Sequence, residues 1–142
     1  MNLESSKIMN ISDLLTNTTD SYQTATYRFK PYIQGKPGNP NCHDGVEIII
    51  AIHVDPTSKV ALTLADNELC NGESVNIQLS TVTAAYQGIE FNVDAINSYP
   101  EITGFTDRTG LIVTDIITEP LSNSGDTARI VTYVVTPATL DV

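Results

Sequence analysis

LTNTTDSYQTATYRFKP, residues 15–31, is echoed near the other end of the chain as LSNSGDTARIVTYVVTP, residues 121–137. A shift of 106 positions sets Leu15 on Leu121, Asn17 on Asn123, Asp20 on Asp126, Thr26 on Thr132, Tyr27 on Tyr133 and Pro31 on Pro137. Three further positions exchange Thr and Ser. A recurrence at fixed spacing is the mark of a repeat architecture and takes precedence over residue-by-residue reading. The stretch also carries a period of two. Ala25, Tyr27 and Phe29 alternate with Thr26, Arg28 and Lys30, and Val131, Tyr133 and Val135 repeat the pattern. Such alternation puts successive side chains on opposite faces of a strand.

The same period fills the intervening chain. GESVNIQLS places Val75, Ile77 and Leu79 on one face, and IEFNVDA does so with Ile89, Phe91 and Val93. KVALTLA and LIVTDII read as further strands. VEIIIAIHV is apolar on both faces, which predicts a strand covered on both sides. GKPGNPN (35–41), CNGE (70–73) and LSNSGD (121–126) are turn signals. Only TAAYQG reads as helical, for one turn at most. Short strands at regular spacing predict an all-β fold, an antiparallel immunoglobulin-like β-sandwich. VDPTSK (54–59) reads as a linker, because proline ends a ladder. Residues 1–55 therefore read as the C-terminal strands of one unit. Residues 57–142 read as the following unit without its last strand, since nothing after Pro137 matches the DGVEIIIAIHVDP that follows Pro31.

The bulk properties narrow the function. The 142 residues are 41% hydrophobic, enough for a core, and carry 17 acidic against 7 basic side chains, a formal charge of −10. A surface of that sign repels phosphate backbones and anionic bilayers, so no nucleic-acid partner is expected. No run approaches the ~18 apolar residues of a membrane helix, so no membrane insertion is expected either. MNLESSKIMN holds no basic region followed by an apolar one, so an export signal is not read within these residues.

Asn-x-x-Asp, Thr-Tyr-x-Phe/Val-x-Pro, a Gly- and Cys-containing loop, an apolar strand ending Val-Asp-Pro, and Leu-Cys-Asn-Gly-Glu-Ser-Val occur in order. On Asn17, Asp20, Thr26, Tyr27, Pro31, Cys42, Gly45, Val54, Pro56, Cys70, Gly72, Tyr133 and Pro137 the chain resembles PKD-like repeats. Such repeats belong to large cell-surface and secreted proteins of the Bacteroidota, including gliding-motility-associated adhesins. The resemblance implies a β-sandwich module, export by the type IX system, extracellular location, and work as a spacer or adhesin. It supplies no catalytic residues. One departure is CHDG (42–45), one residue longer than the Cys-x-Gly usual in the family's first loop.

Candidate sites are few. Cys42 and Cys70, the only cysteines, read either as a disulfide, whose closure could contribute about 3 kcal/mol, or as two unpaired thiols. No CxxC or paired-His spacing points to a transition metal. His43 and His53 fall in no catalytic motif, so no enzyme and no cofactor are expected. Loops bearing Asp55, Asp66, Asp107 and Asp126 offer oxygen ligands for Ca²⁺, though without an EF-hand pattern; solvated turn acids are the favoured reading. Asp126-Thr127-Ala128 fits a short O-glycosylation pattern at Thr127, against an ordinary turn. Tyr27 and Tyr133 read as half-buried strand tyrosines whose hydroxyls reach backbone. The expected partners are neighbouring repeats or copies of the same chain. A self-assembling subunit using strand exchange is the alternative, and a carbohydrate-binding module is a third reading.

Overall fold

The computed structural model describes residues 10–33, 35–40 and 45–140. The all-β expectation holds: ten strands and no helix among the described residues. They are β1 (Gln23–Phe29), β2 (Ile48–Val54), β3 (Ala61–Leu64), β4 (Ser74–Ser80), β5 (Ile89–Ile96), β6 (Ile102–Thr103), β7 (Arg108–Leu111), β8 (Ile116–Pro120), β9 (Ser122–Asn123) and β10 (Thr132–Thr139).

Two three-stranded antiparallel sheets, ordered β3-β4-β8 and β10-β5-β7, form an immunoglobulin-like sandwich. Its core follows from the alternation. β4 turns in Val75, Ile77 and Leu79, β5 turns in Ile89, Phe91 and Val93, and β8 adds Ile117. Leu79, Phe91, Val93 and Ile117 are sealed from solvent. Burying each such side chain contributes roughly 1.5–3 kcal/mol. β10 contributes Tyr133 and Val135 from its inner face. A short β6-β9 ladder ties Ile102 to Asn123 and Thr103 to Ser122.

Turns match the punctuation read in the sequence. Within CNGE the Glu73 amide donates to the Cys70 carbonyl at 3.0 Å while Gly72 takes φ +87°. That is the left-handed third position of a type II turn, which favours glycine. LIVTDII is not one strand. Asp115 breaks it: its amide donates to the Ile112 carbonyl at 2.9 Å and its carboxylate accepts from the Ile112 amide at 2.8 Å. This turn carries the chain from β7 in one sheet to β8 in the other. TAAYQG forms no helical turn; Ala84 makes an isolated bridge instead.

β1 and β2 form a separate antiparallel hairpin with Tyr27 opposite Ile50 and Phe29 opposite Ile48. β2 ends at Val54, and residues 55–60 lead into β3 docked against the sandwich, with Pro56 buried and the Lys59 amide donating to the Thr83 hydroxyl at 3.0 Å. The expectation that β2 is covered on both faces fails. Ile48, Ile49, Ile50 and Ile52 are all exposed, because β1 is the only strand paired with β2 and no second sheet packs on it among the described residues. One face of the hairpin is partly screened by the extended segment before β1. Ile11, Asp13 and Leu15 enclose a hollow of about 170 Å³ with Tyr27, Phe29, Ile50 and Ile52.

Candidate functional site

The repeat noticed in the sequence is a repeat of hydrogen bonds. The Asn17 side-chain carbonyl accepts from the Thr19 amide at 2.9 Å, and its NH₂ donates to the Ser21 carbonyl at 2.8 Å. The Asn123 side chain accepts from the Gly125 amide at 2.9 Å and donates to the Thr127 carbonyl at 2.9 Å. These two pairs of partners are displaced by the same 106 positions, while the Asn17 NH₂ also donates to the Val54 carbonyl at 2.8 Å. An Asn side chain that bonds backbone two and four residues ahead shapes a loop with local chemistry.

The tyrosines repeat as well. The Tyr27 hydroxyl donates to Asp13 at 2.9 Å, and the Tyr133 hydroxyl donates to Glu119 at 2.8 Å. Asp13 and Glu119 are again 106 positions apart. The expected backbone acceptor is thus corrected to a carboxylate. The two acids lie outside the 15–31 and 121–137 match, upstream of Leu15 and Leu121. Extending it backward pairs Ile11 with Ile117 and Asp13 with Glu119, which is the signal that finds them.

The two pairs differ in surroundings. Glu119 is 3% exposed and saturated. One oxygen accepts from the Thr106 hydroxyl (2.7 Å) and amide (3.2 Å) and from Arg108 (3.1 and 3.2 Å), and the other accepts from Tyr133. Burial pushes its pKa up, but the bonds from Thr106, Tyr133 and Arg108 and the Arg108 charge outweigh it. The net result lies below the usual carboxylate range. The Tyr133 hydroxyl is pushed well above its ordinary value, first by burial and then by Glu119. Tyr27 is raised too, chiefly by its bond to Asp13.

A second assembly joins hairpin to sandwich. Ser21 bridges Ala84 in parallel: the Tyr22 amide donates to the Ala84 carbonyl and the Ala84 amide to the Asp20 carbonyl, both at 2.8 Å. The Tyr86 amide donates to Asp55 at 2.7 Å, and Lys59 pairs with Asp20. Above them His53 stacks on Tyr86 at 3.8 Å and 15°, and the Tyr22 ring meets Tyr86 edge-on at 5.3 Å. Thr24 shares a hydrogen bond of 3.0 Å with His53. His53 therefore belongs to a joint.

The third feature is an opening. β10 is paired along one edge by β5, and its other edge has no strand beside it among the described residues. A cleft of about 490 Å³ opens between the end of β3, the start of β4 and the 121–131 loop, lined in part by Leu64, Val75, Ile77, Leu121, Val131 and Tyr133. Core side chains of β4 thus reach the cleft.

Cys70 is exposed at the rim, while Cys42 and His43 lie outside the described residues, and with them the proposed disulfide. Thr127 is exposed and donates to the Asp126 carboxylate at 3.0 Å. Asp20 faces Lys59, so the equivalent aspartates have different partners. Pro31 follows β1, whereas Pro137 sits within β10 opposite Phe91. Among the described residues no three His, Cys, Asp or Glu side chains cluster as a metal site, and no helix is long and apolar enough to cross a membrane.

Comparison with known proteins agrees with this architecture. No curated protein and no solved structure gives a significant match. A family model described as PKD-like domain matches residues 67–141, from the turn before β4 through the end of β10. Domains of that kind are in general extracellular structural or adhesive modules and typically non-catalytic. With more than half its length matched, the chain belongs to the PKD-like domain family.

Proposed function

We propose that the chain is a link of a cell-surface protein built from PKD-like repeats and that its work is mechanical: holding an adhesive element away from the cell. In this reading residues 1–55 supply the closing strands of one repeat and residues 57–142 the next. The observation that carries it is the double recurrence, at one spacing, of the Asn-shaped loop and the tyrosine–carboxylate pair. The joint supports it, since an array transmits force only where neighbouring units are coupled. The sequence motifs favour a secreted surface protein of Bacteroidota type, with a gliding-motility adhesin as the nearest kind.

Force spectroscopy of the chain between reference domains tests the mechanical reading. The expected trace has a short first step as β3 comes away and then one cooperative rupture of the remaining core, together releasing roughly 300 Å, the extended length of residues 57–142 at about 3.5 Å per residue. Smooth extension without a rupture refutes it. A sugar-binding role receives less support: among the described residues the cleft presents one aromatic ring, Tyr133, and the chain has no tryptophan.

A further inference from the structure

We propose that the free edge of β3 is a pairing surface and that its occupant is β3 of a second copy of this chain, antiparallel about a two-fold axis. β3 lies mid-chain, between the 55–60 segment and β4, and β4 is the only strand beside it among the described residues. Which of its groups face the open side follows from those already bonded. The Lys59 amide donates to the Thr83 hydroxyl at 3.0 Å, and its carbonyl accepts from the Thr81 hydroxyl at 2.6 Å. The Ala61 carbonyl accepts from the Ser80 hydroxyl at 3.1 Å, and the Ala65 amide donates to the Asn76 carbonyl at 3.4 Å. In an antiparallel ladder the bonds to one neighbour come from alternate residues. Odd-numbered residues therefore serve the β4 side, and Val60, Leu62 and Leu64 turn their amides and carbonyls to the open edge. A row of unpaired backbone groups is a template for strand addition.

β8 and β7 also lie at sheet edges, but each is blunted. On β8 the Asp115 carbonyl accepts from the Leu79 amide, so its even-numbered residues face outward, among them Pro120, which has no amide to give. β7 begins with Arg108 and meets β5 through a register shift. Residues 60–65 carry no charge, proline or glycine.

The side chains select the occupant. Leu62 and Leu64 lie opposite Leu79 and Ile77 and so share the core face, yet they remain 45% and 43% exposed. A strand added here must bring apolar residues at alternate positions, and β3 itself does. With the axis at Leu62, Leu62 faces the second copy's Leu62 and Leu64 faces its Val60. Setting Leu62 opposite Leu64 instead would place Val60 against Asp66. Charge favours the same pairing. Two chains of −10 repel each other least along an uncharged segment, and Lys59 and Asp66, which bound it, are brought end to end by the antiparallel register. The product is one continuous sheet, β8-β4-β3 of one copy followed by β3-β4-β8 of the other. Because both copies use the same edge, the contact closes as a dimer.

The test is light scattering after size exclusion on the full 142-residue chain over a concentration series, with residue-resolved hydrogen exchange. The mass should rise from 15.4 kDa and level off at twice that value. Exchange should slow with concentration at Val60, Leu62 and Leu64 and stay unchanged at Ala61 and Thr63, whose amides already serve β4. Leu62→Lys and Leu62→Glu each set like charges across the axis and should raise the association midpoint several-fold, whereas an equimolar mixture should restore it. Urea midpoints of the two variants check that both fold. A mass fixed at 15.4 kDa, or one that climbs past the dimer, overturns the pairing. Folded variants that associate like the parent overturn the edge, and folded variants that fail to complement each other overturn the register. A peptide of residues 59–66 in excess should part the dimer. If the chain is monomeric and the peptide still slows exchange at Leu62 and Leu64, the second copy is overturned as occupant.

Discussion

Replacing Glu119 probes the most tightly constrained polar group in the sandwich. Glu119→Ala removes the acceptor for Thr106, Arg108 and Tyr133 together and leaves a guanidinium beside the core. Breaking a buried ion pair from one side costs about 3–5 kcal/mol. Arg108 is 35% exposed and can turn to water, so the lower end, about 3 kcal/mol, is expected. Tyr133→Phe removes one bond to a charged acceptor and should cost about 1.5–2 kcal/mol. Because the two residues share that bond, the double variant should be less destabilised than the sum by about 1 kcal/mol. Urea denaturation of the four proteins at pH 7 measures all of this. The sign with pH is fixed as well. The folded pKa of Glu119 lies below its unfolded value of about 4.3, so its contribution is complete above that value. It is lost as pH falls through the folded pKa, and Glu119→Gln should flatten that acid limb. A Tyr133→Phe cost within about 0.5 kcal/mol, with additive effects, would refute the account of a coupled buried network.

Tyr27→Phe should leave the urea midpoint unchanged, since the same bond on the hairpin is open to solvent. Tyr86→Ala removes the ring stacked on His53, worth about 0.5–1.5 kcal/mol, and should speed proteolysis within residues 55–60 while barely shifting the melting of the sandwich. Gly104 takes φ +97°, and a Cβ there would lie 2.0 Å from the Pro120 carbonyl oxygen. Gly104→Ala should therefore destabilise by more than the roughly 1 kcal/mol usual for a strained glycine site, read as a lowered Tm. Phe91→Ala opens a cavity at the centre of the core and should cost about 3–5 kcal/mol, read in urea.

Period-two patterning carries fold information only where something waits to cover the strand. In β4 and β5 the alternation marks true inner faces, because the two sheets pack on each other. In β2 the apolar residues are just as dense, yet they remain exposed: hydrophobicity reports the need for a partner, and the partner is a tertiary fact. The repeat was legible in Tyr27 and Tyr133, whereas their acceptors Asp13 and Glu119 share only charge and so leave a fainter trace. The joint left none, since Tyr22, His53 and Tyr86 meet from three separate segments.

The path from β2 through residues 55–60 into β3 has a consequence for how the molecule yields. A pull along that path first meets the bonds that dock residues 55–60, Tyr86 to Asp55 and Lys59 to Thr83, and then β3, which holds β4 by four residue pairs and is exposed along its whole length. Drawn along its own axis, β3 resists in shear, all four pairs at once, and then slips free while the interior of β4, β5 and β8 stays shut. The strand is placed as a mechanical fuse, surrendering a short length of slack before the core is put at risk.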